Sequence, residues 1–406
     1  MWELDGHSQH YGWGSSEALP AFLGRCPDGR PWAEIWYGAH PLGPASIITE
    51  PSNPDGTTLE SAIAAEPRRM LGPMVARTFD RKLPYLLKVI APERPLSLQV
   101  HPTREHAAES FAAENAAGLP VDAAERNYRD DNHKPEMVVA LERFEALCGF
   151  RTPRRAASIL DGLGTELTDR LHALLIEHPH AHGMRAAFRT LASPTLRPAP
   201  EAVHEVAAAC ADRYAAGASP SPRIDRTVAL LNAHHPGDPG VVAALLLNPV
   251  TLHPGEAMYI PAGAIHAYLS GLAVEIMASS DNVLRAGLTP KKVDVDEMLQ
   301  CVSVIAAPPM RVAPERLTPQ TVAYYAPVDD FELSMTTIED PAGMFQPRHT
   351  IPGSGPRVLL GIEGEMLVES GTGRSTLRAG RALFVPADAG ALTIGGRGRL
   401  VQASVP

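Results

Sequence analysis

The stretch LSLQVHP, Leu96 to Pro102, sets Ser97, Gln99 and His101 in alternation with Leu98 and Val100. On a β-strand successive side chains point to opposite faces, so the three polar groups share one face. An amide and an imidazole aimed together into a fold interior need something to hold. Lysine usage marks further positions. Of 36 Lys plus Arg, only five are lysines: Lys82, Lys88, Lys134, Lys291 and Lys292. In a chain so biased toward Arg, a retained Lys points to a need for a compact ammonium that can lose its proton. Chance placement of surface lysines is the competing reading. Four of the five stand in or beside the segments described below.

The elements that must position these groups fall into blocks. Residues 1 to about 150 read as short strands broken by Pro and Gly, such as WAEIWYGAH, LPYLLKVI, LSLQVH, PEMVVAL and FEALCGF. One helix is predicted over Arg104 to Glu114, after the turn-like HPT. From about 151 to 245, Leu160, Leu163, Leu167, Leu171, Leu174 and Leu175 recur at helical spacing, as do Val203, Val206, Cys210 and Tyr214. These stripes read as core. Strand character returns in LLLNPVTLHPGEAMYIPAGAIHAYL and GLAVEIMAS, and a final all-β segment runs from about 315. The order predicts a β domain made of 1–150 and 246–314, interrupted by a helical insert over 151–245, then a second β domain over 315–406.

An internal echo sharpens this. Gly255 to Pro261 and Gly380 to Pro386 both read G-x5-P, and the first continues as P-x-G-x2-H through Gly263 to His266. The second continues as PADAGAL, without a histidine. The first copy is similar to the second signature of cupins, small jelly-roll barrels that bind a metal on inward-facing side chains. The implied fold is mainly β with a helical insert: a metal-binding catalytic cupin and a metal-free, cupin-like C-terminal domain. Cupin sites take a pair of residues two apart plus a later histidine, which here are Gln99, His101 and His266. Glu136, at the head of the apolar strand EMVVA, offers the anionic ligand, since an unpaired carboxylate there is costly to bury. His133 and His253 are nearby rivals. Two imidazoles, a carboxylate and an amide oxygen suit zinc, one ion per chain, with a position left open for water or substrate.

Composition narrows the field. The chain has 406 residues, 45% hydrophobic and 20% charged, the balance of a globular protein with a sizeable core. A net charge of −10 argues against general nucleic-acid or membrane-surface binding, so an anionic ligand must be drawn by local cations. Met1 to Gly14 shows no secretory pattern, and the longest aliphatic run, Val241 to Leu247, is too short to span a bilayer. Cys26, Cys148, Cys210 and Cys301 form no CxxC pair and read as reduced thiols of a cytoplasmic protein. Oligomeric state, monomer or homodimer, stays open.

Five blocks in order, WAEIWYGAHPLGPA, LPYLLKVIAPERPLSLQVHP, DDNHKPEMVVALERFEALCGFR, LLNPVTLHPGEAMYIPAGAIHAYLSG and VEIMASSDNVLRAGLTPKKVDVDEML, resemble the type I mannose-6-phosphate isomerases. The resemblance runs from QHYGWGS to about Leu299, and the tail from about 315 shares only a general β character. It implies zinc ligands at Gln99, His101, Glu136 and His266, a catalytic arginine at Arg285, and active-site positions at Lys134, Glu275 and Asp281. The implied reaction interconverts D-mannose 6-phosphate and D-fructose 6-phosphate through an enediol(ate), with Lys134, Glu275 and Asp281 as candidates to carry the proton. Arg285 would steady the enediolate or hold phosphate, with the first preferred. Ser97, Lys88 and Lys291 are offered to the 6-phosphate. Tyr268 would pack on the sugar or fill the barrel, and Trp13, Glu34 and Trp36 are expected as scaffold. A non-catalytic sugar-phosphate-binding cupin and a metal-dependent cupin oxygenase are the alternatives. An oxygenase normally prefers three histidines or a facial triad with iron, and Gln99 speaks against it.

Overall fold

The LSLQV alternation becomes architecture through two antiparallel sheets that face each other. The computed structural model describes residues 1–48, 56–339 and 348–406. One sheet has seven strands in the order Met310–Val312, Ala257–Ile260, Glu136–Ala140, Ala273–Ala278, Tyr85–Ile90, Glu34–Tyr37 and His7–Gln9. The other has five, in the order Leu284–Gly287, Leu98–Val100, His266–Ser270, Phe144–Phe150 and Leu247–Leu252. Between them lie Ile90, Val138, Ala140, Phe144, Ala146, Val250, Leu252, Met258, Ile260 and Tyr268, contributed by both sheets and all buried. This apolar plug fills one end of a cupin-type barrel.

The outer faces are buried as well, which explains why LPYLLKVI and EMVVA read as unbroken apolar runs rather than alternating ones. Leu98, Val100, Leu147, Ala267, Leu269 and Leu284 turn away from the barrel into a core shared with the helical segment. That segment comprises Pro153–Leu160, Glu166–Glu177, Ala181–Ala192, Pro200–Ala215 and Pro222–His234. Leu160, Leu163, Leu167, Leu171 and Leu175 are buried there, with Val203, Val206 and Cys210. Tyr214, expected in the same stripe, is instead exposed. It lies in the last turn, and the interior near it is taken by Arg213, whose guanidinium is paired with the fully buried Asp225 at 2.6 Å. The helix predicted over 104–114 runs from Arg104 to Ala116, with the Thr103 hydroxyl capping it by accepting from His106 N–H.

The outer face of the seven-stranded sheet, with Ile35, Tyr37, Tyr85, Leu87, Val89, Met137, Val139, Val274 and Ile276, packs on Tyr324, Phe331, Leu333, Val358, Leu360, Phe384 and Val401. Apart from Phe331, which immediately precedes the strand Glu332–Ile338, these partners belong to a ten-stranded antiparallel sheet built largely from the C-terminal segment. Trp2–Asp5 and Ser46–Ile48, from the N-terminal end of the chain, extend that sheet by pairing onto Ala382–Val385 and onto each other. Tyr85 stitches the two bodies. It is 1% exposed, and its hydroxyl lies 3.1 Å from both the Pro356 and Ala403 carbonyls. Tyr85→Phe should therefore lower the stability of the whole protein by about 1–3 kcal/mol in urea denaturation, with little change in turnover. An unchanged midpoint would show that the hydroxyl adds nothing across this boundary.

Candidate metal centre and active site

Across the five-stranded sheet, Arg285, Gln99, His266 and Cys148 stand side by side in register on neighbouring strands. Across the facing sheet, Glu136 is opposite Met277, and Glu275 is opposite both Val138 and Lys88. The barrel's polar end is thus assembled from residues far apart in sequence. His101, Glu136 and His266 converge there, each buried, with one ligand atom apiece within 4.8 Å of the others. Glu136 Oε1 is 3.3 Å from His101 Nε2, and its Oε2 is 3.3 Å from His266 Nε2.

The tautomers follow from the outer contacts. His101 Nδ1 donates to the Asn282 carbonyl at 2.8 Å, and His266 Nδ1 donates to the Ala264 carbonyl at 2.9 Å. Both Nε2 lone pairs are thereby turned onto the carboxylate. His101 Nε2 and Glu136 Oε2 have no hydrogen-bond partner although both are buried. Such orphaned acceptors are costly in a protein interior and fit a cation between them. Gln99 Nε2 lies 3.1 Å from His266 Nε2. A half-turn of the amide puts its oxygen there, completing the four expected donors. Burial pulls the His101 imidazole down to about 4, keeping the ring neutral. Burial works against charge on Glu136, but the Lys134 ammonium outweighs it and holds the carboxyl well below the usual range. Cys148, in register with His266, is not among the clustered donors and packs in the apolar plug, where burial, with Glu136 nearby, pushes its thiol up to about 12. Gly263, at φ +81°, makes the turn into His266, and its N–H donates to the His101 carbonyl at 2.8 Å. The rivals lie elsewhere: His133 bonds Asp330 at 2.9 Å, and His253 is exposed.

Above this cluster opens a cavity of about 1220 Å³ lined by, among others, Ser97, Gln99, Lys134, Glu136, Tyr268, Glu275, Asp281, Arg285 and Lys291. Lys134 Nζ is 3.2 Å from Glu136 Oε1. Lys88 also lines the cavity, but its ammonium is held 3.4 Å from both Glu34 and Glu275. Burial opposes that charge, and the two carboxylates more than restore it, raising the ammonium above its ordinary value. Glu275 Oε1 also accepts from the Tyr268 hydroxyl at 2.8 Å, so Tyr268 fills the barrel wall. Burial, with Glu136 next, raises the Glu275 carboxyl. Glu34, expected as scaffold, accepts from the Trp36 indole and completes this charge chain. Arg285 and Lys291 line the same wall, and both cations are lowered by burial and by mutual proximity to Arg129.

Comparison with known proteins decides the family. Residues 1–153 match the type I phosphomannose isomerase catalytic domain. The mannose-6-phosphate isomerase of Escherichia coli (strain K12) is 36% identical over 404 residues, covering 99% of each chain. That of Salmonella typhimurium is 37% identical, with the same coverage. The chain belongs to the type I phosphomannose isomerase family. A structure of the Salmonella typhimurium enzyme bound to fructose 6-phosphate and zinc superposes with a TM-score of 0.88 at 34% identity, covering 100% of this chain and 99% of that one. The family likeness therefore extends through the C-terminal part, where the motifs had matched only in general character.

Set in the phosphomannose isomerase frame, three residues escaped the sequence reading. Asn282 is fully buried, and beyond its carbonyl bond to His101 its amide takes Arg129 N–H and donates to the Asp130 and Asn132 carbonyls. Asp130 in turn accepts from Ser280 Oγ and Asp281 N–H, both at 2.7 Å. These two pin the loop before Lys134 to the SDN turn. The third is His40, 4% exposed, with Nε2 3.5 Å from Asp281 Oδ2 and its ring edge-on to Trp36. Only the polar density of NYRDDNH and SDN, and the histidine in GAHP, signalled them. Burial holds the His40 imidazole at about 4, against Asp281 which raises it. Between pH 6.5 and 4 the unfolded chain takes up a proton that folded His40 refuses, so stability falls as pH falls through that window. His40→Asn should reduce this slope in urea titrations of the metal-free protein, where His101 contributes equally to both forms. Parallel curves for parent and variant would contradict it.

Proposed function

We propose that the chain interconverts D-mannose 6-phosphate and D-fructose 6-phosphate with one zinc ion held by Gln99, His101, Glu136 and His266. The observation that carries this is the convergence of three buried donors, their lone pairs turned on one point, at the floor of a cavity whose upper wall bears unpaired cations. Zinc, when bound, supplies a Lewis acid for the oxygens on C1 and C2 of the sugar. The remaining work falls to side chains. Lys134 Nζ, beside the zinc-facing carboxylate and open to the cavity, is assigned the proton that moves between C2 and C1. Arg285, in register with Gln99, is assigned the negative charge developing on those oxygens.

Arg129, Lys291 and Arg285 form no ion pair among the described residues, so their charge is available to a phosphate dianion. Ser97, just before the strand Leu98–Val100 that carries Gln99, lines the same cavity and adds a hydroxyl. Lys88 is given a different task from phosphate binding. Its ammonium is already shared between Glu34 and Glu275, and it balances two buried carboxylates on the barrel wall. Asp281 and His40 close the cavity opposite.

Two experiments test the assignment. Chelation should abolish formation of fructose 6-phosphate from mannose 6-phosphate and zinc should restore it, while His266→Ala should lower zinc content far more than His253→Ala. Full turnover in metal-free protein would overturn the zinc requirement. In zinc-loaded variants, Lys134→Gln should cut kcat by about 10²-fold or more. Arg285→Lys should lose about tenfold in kcat for each ~1.4 kcal/mol of transition-state stabilisation removed. A raised KM with unchanged kcat in Arg285→Lys would move that residue to phosphate binding.

A further inference from the structure

A second group of metal-type donors lies outside the cavity. Glu297 and Cys301 are four residues apart on the helix Val295–Cys301, so they share one face, and His106 comes from the helix Arg104–Ala116 packed against it. One ligand atom from each lies within 4.8 Å of the others. The three are partly buried: the side chains of His106 and Glu297 are 28% and 19% exposed, which leaves an approach for an ion and a water. None has a task in the isomerisation.

The surroundings resemble the outer shell of a metal site. His106 Nε2 is 2.7 Å from Glu297 Oε1, the same oxygen that accepts from the buried Tyr128 hydroxyl. That hydroxyl is also 3.4 Å from Cys301 Sγ, and Gln300 Nε2 donates to Glu297 Oε2 at 3.2 Å. The carboxylate is thus oriented by Tyr128 and Gln300 rather than left to swing. Ligands at ~2.0–2.3 Å from a tetrahedral ion sit roughly 3.3–3.8 Å apart, so His106 and Glu297 need part by only about half an ångström to admit one.

We propose that His106, Glu297 and Cys301 form a second divalent-metal site, selective for a zinc-type ion that accepts imidazole, carboxylate and thiolate together. Its place in the fold gives it a consequence. The helix bearing His106 begins three residues after His101, and the helix bearing Glu297 and Cys301 begins just after Lys291 and Lys292. An ion bridging them clamps the segment of a catalytic-site donor to that of the cation patch.

Cobalt(II) discriminates the two sites, because the Gln99, His101, Glu136 and His266 set contains no thiolate. Titration of the metal-free full chain should reach two cobalt ions per chain, with a thiolate-to-cobalt charge-transfer band accounting for one of them. Cys301→Ser should abolish the band while the other ion is retained, which also reports that the fold is intact. His106→Ala should weaken binding of the band-forming ion by at least tenfold, and Cys26→Ser should leave it unchanged. Absence of the band in the parent protein, or its survival in Cys301→Ser, would overturn the proposal. Neither result would touch the isomerase reading, which is judged by the chelation assay.

Discussion

Everything at the centre of this protein follows from placing one carboxylate, Glu136, inside a barrel between two imidazole lone pairs. A buried carboxylate without full compensation costs several kcal/mol, and Lys134 offers only one counter-charge, on one of its two oxygens. The second oxygen and His101 Nε2 are left without hydrogen bonds, which is tolerable only if a cation takes them. The carbonyls of Asn282 and Ala264, the turn at Gly263 and the network through Asp130 all serve to hold those lone pairs in that direction.

Such a cluster needs walls that do not give. The seven-stranded sheet is packed on both faces, by the barrel interior and by the C-terminal sheet, and the five-stranded sheet is packed by the barrel interior and the helices. Close-packed interiors of this kind resist small displacements, so the donor atoms keep their spacing. The N-terminal strand Trp2–Asp5, inserted beside Ala382–Val385, ties the two ends of the chain into one sheet. Charge balance is arranged on the same principle: Lys88 between Glu34 and Glu275 keeps the wall beside the metal centre from carrying two bare carboxylates.

Local pattern made some of this legible. Alternation in LSLQV told which side chains share a face, and the leucine spacing after residue 150 told which helix stripes are core. Both rest on periodicity, which survives folding unless a neighbour intervenes. At Tyr214 one does: Arg213, drawn in by Asp225 from another helix, takes the interior, and the aromatic ring stays out. Lys88 is a similar case. Within LPYLLKVI it reads as a cation for phosphate, yet the register with Glu275, and Glu34 on the adjoining strand, bring two carboxylates to it.

By itself the sequence determined the class of fold, a set of metal-type donors around the Gln99 face and the chemistry such donors support, because each is written in residue types and short spacings. Only the tertiary structure decided which imidazole nitrogens face the Glu136 carboxylate, that Asn282, Asp130 and His40 belong to the site, and that the first strand joins the last sheet. Those are set by contacts between residues up to several hundred positions apart. No local period encodes such pairings, since strand register and side-chain partners exist only after the sheets have closed on one another.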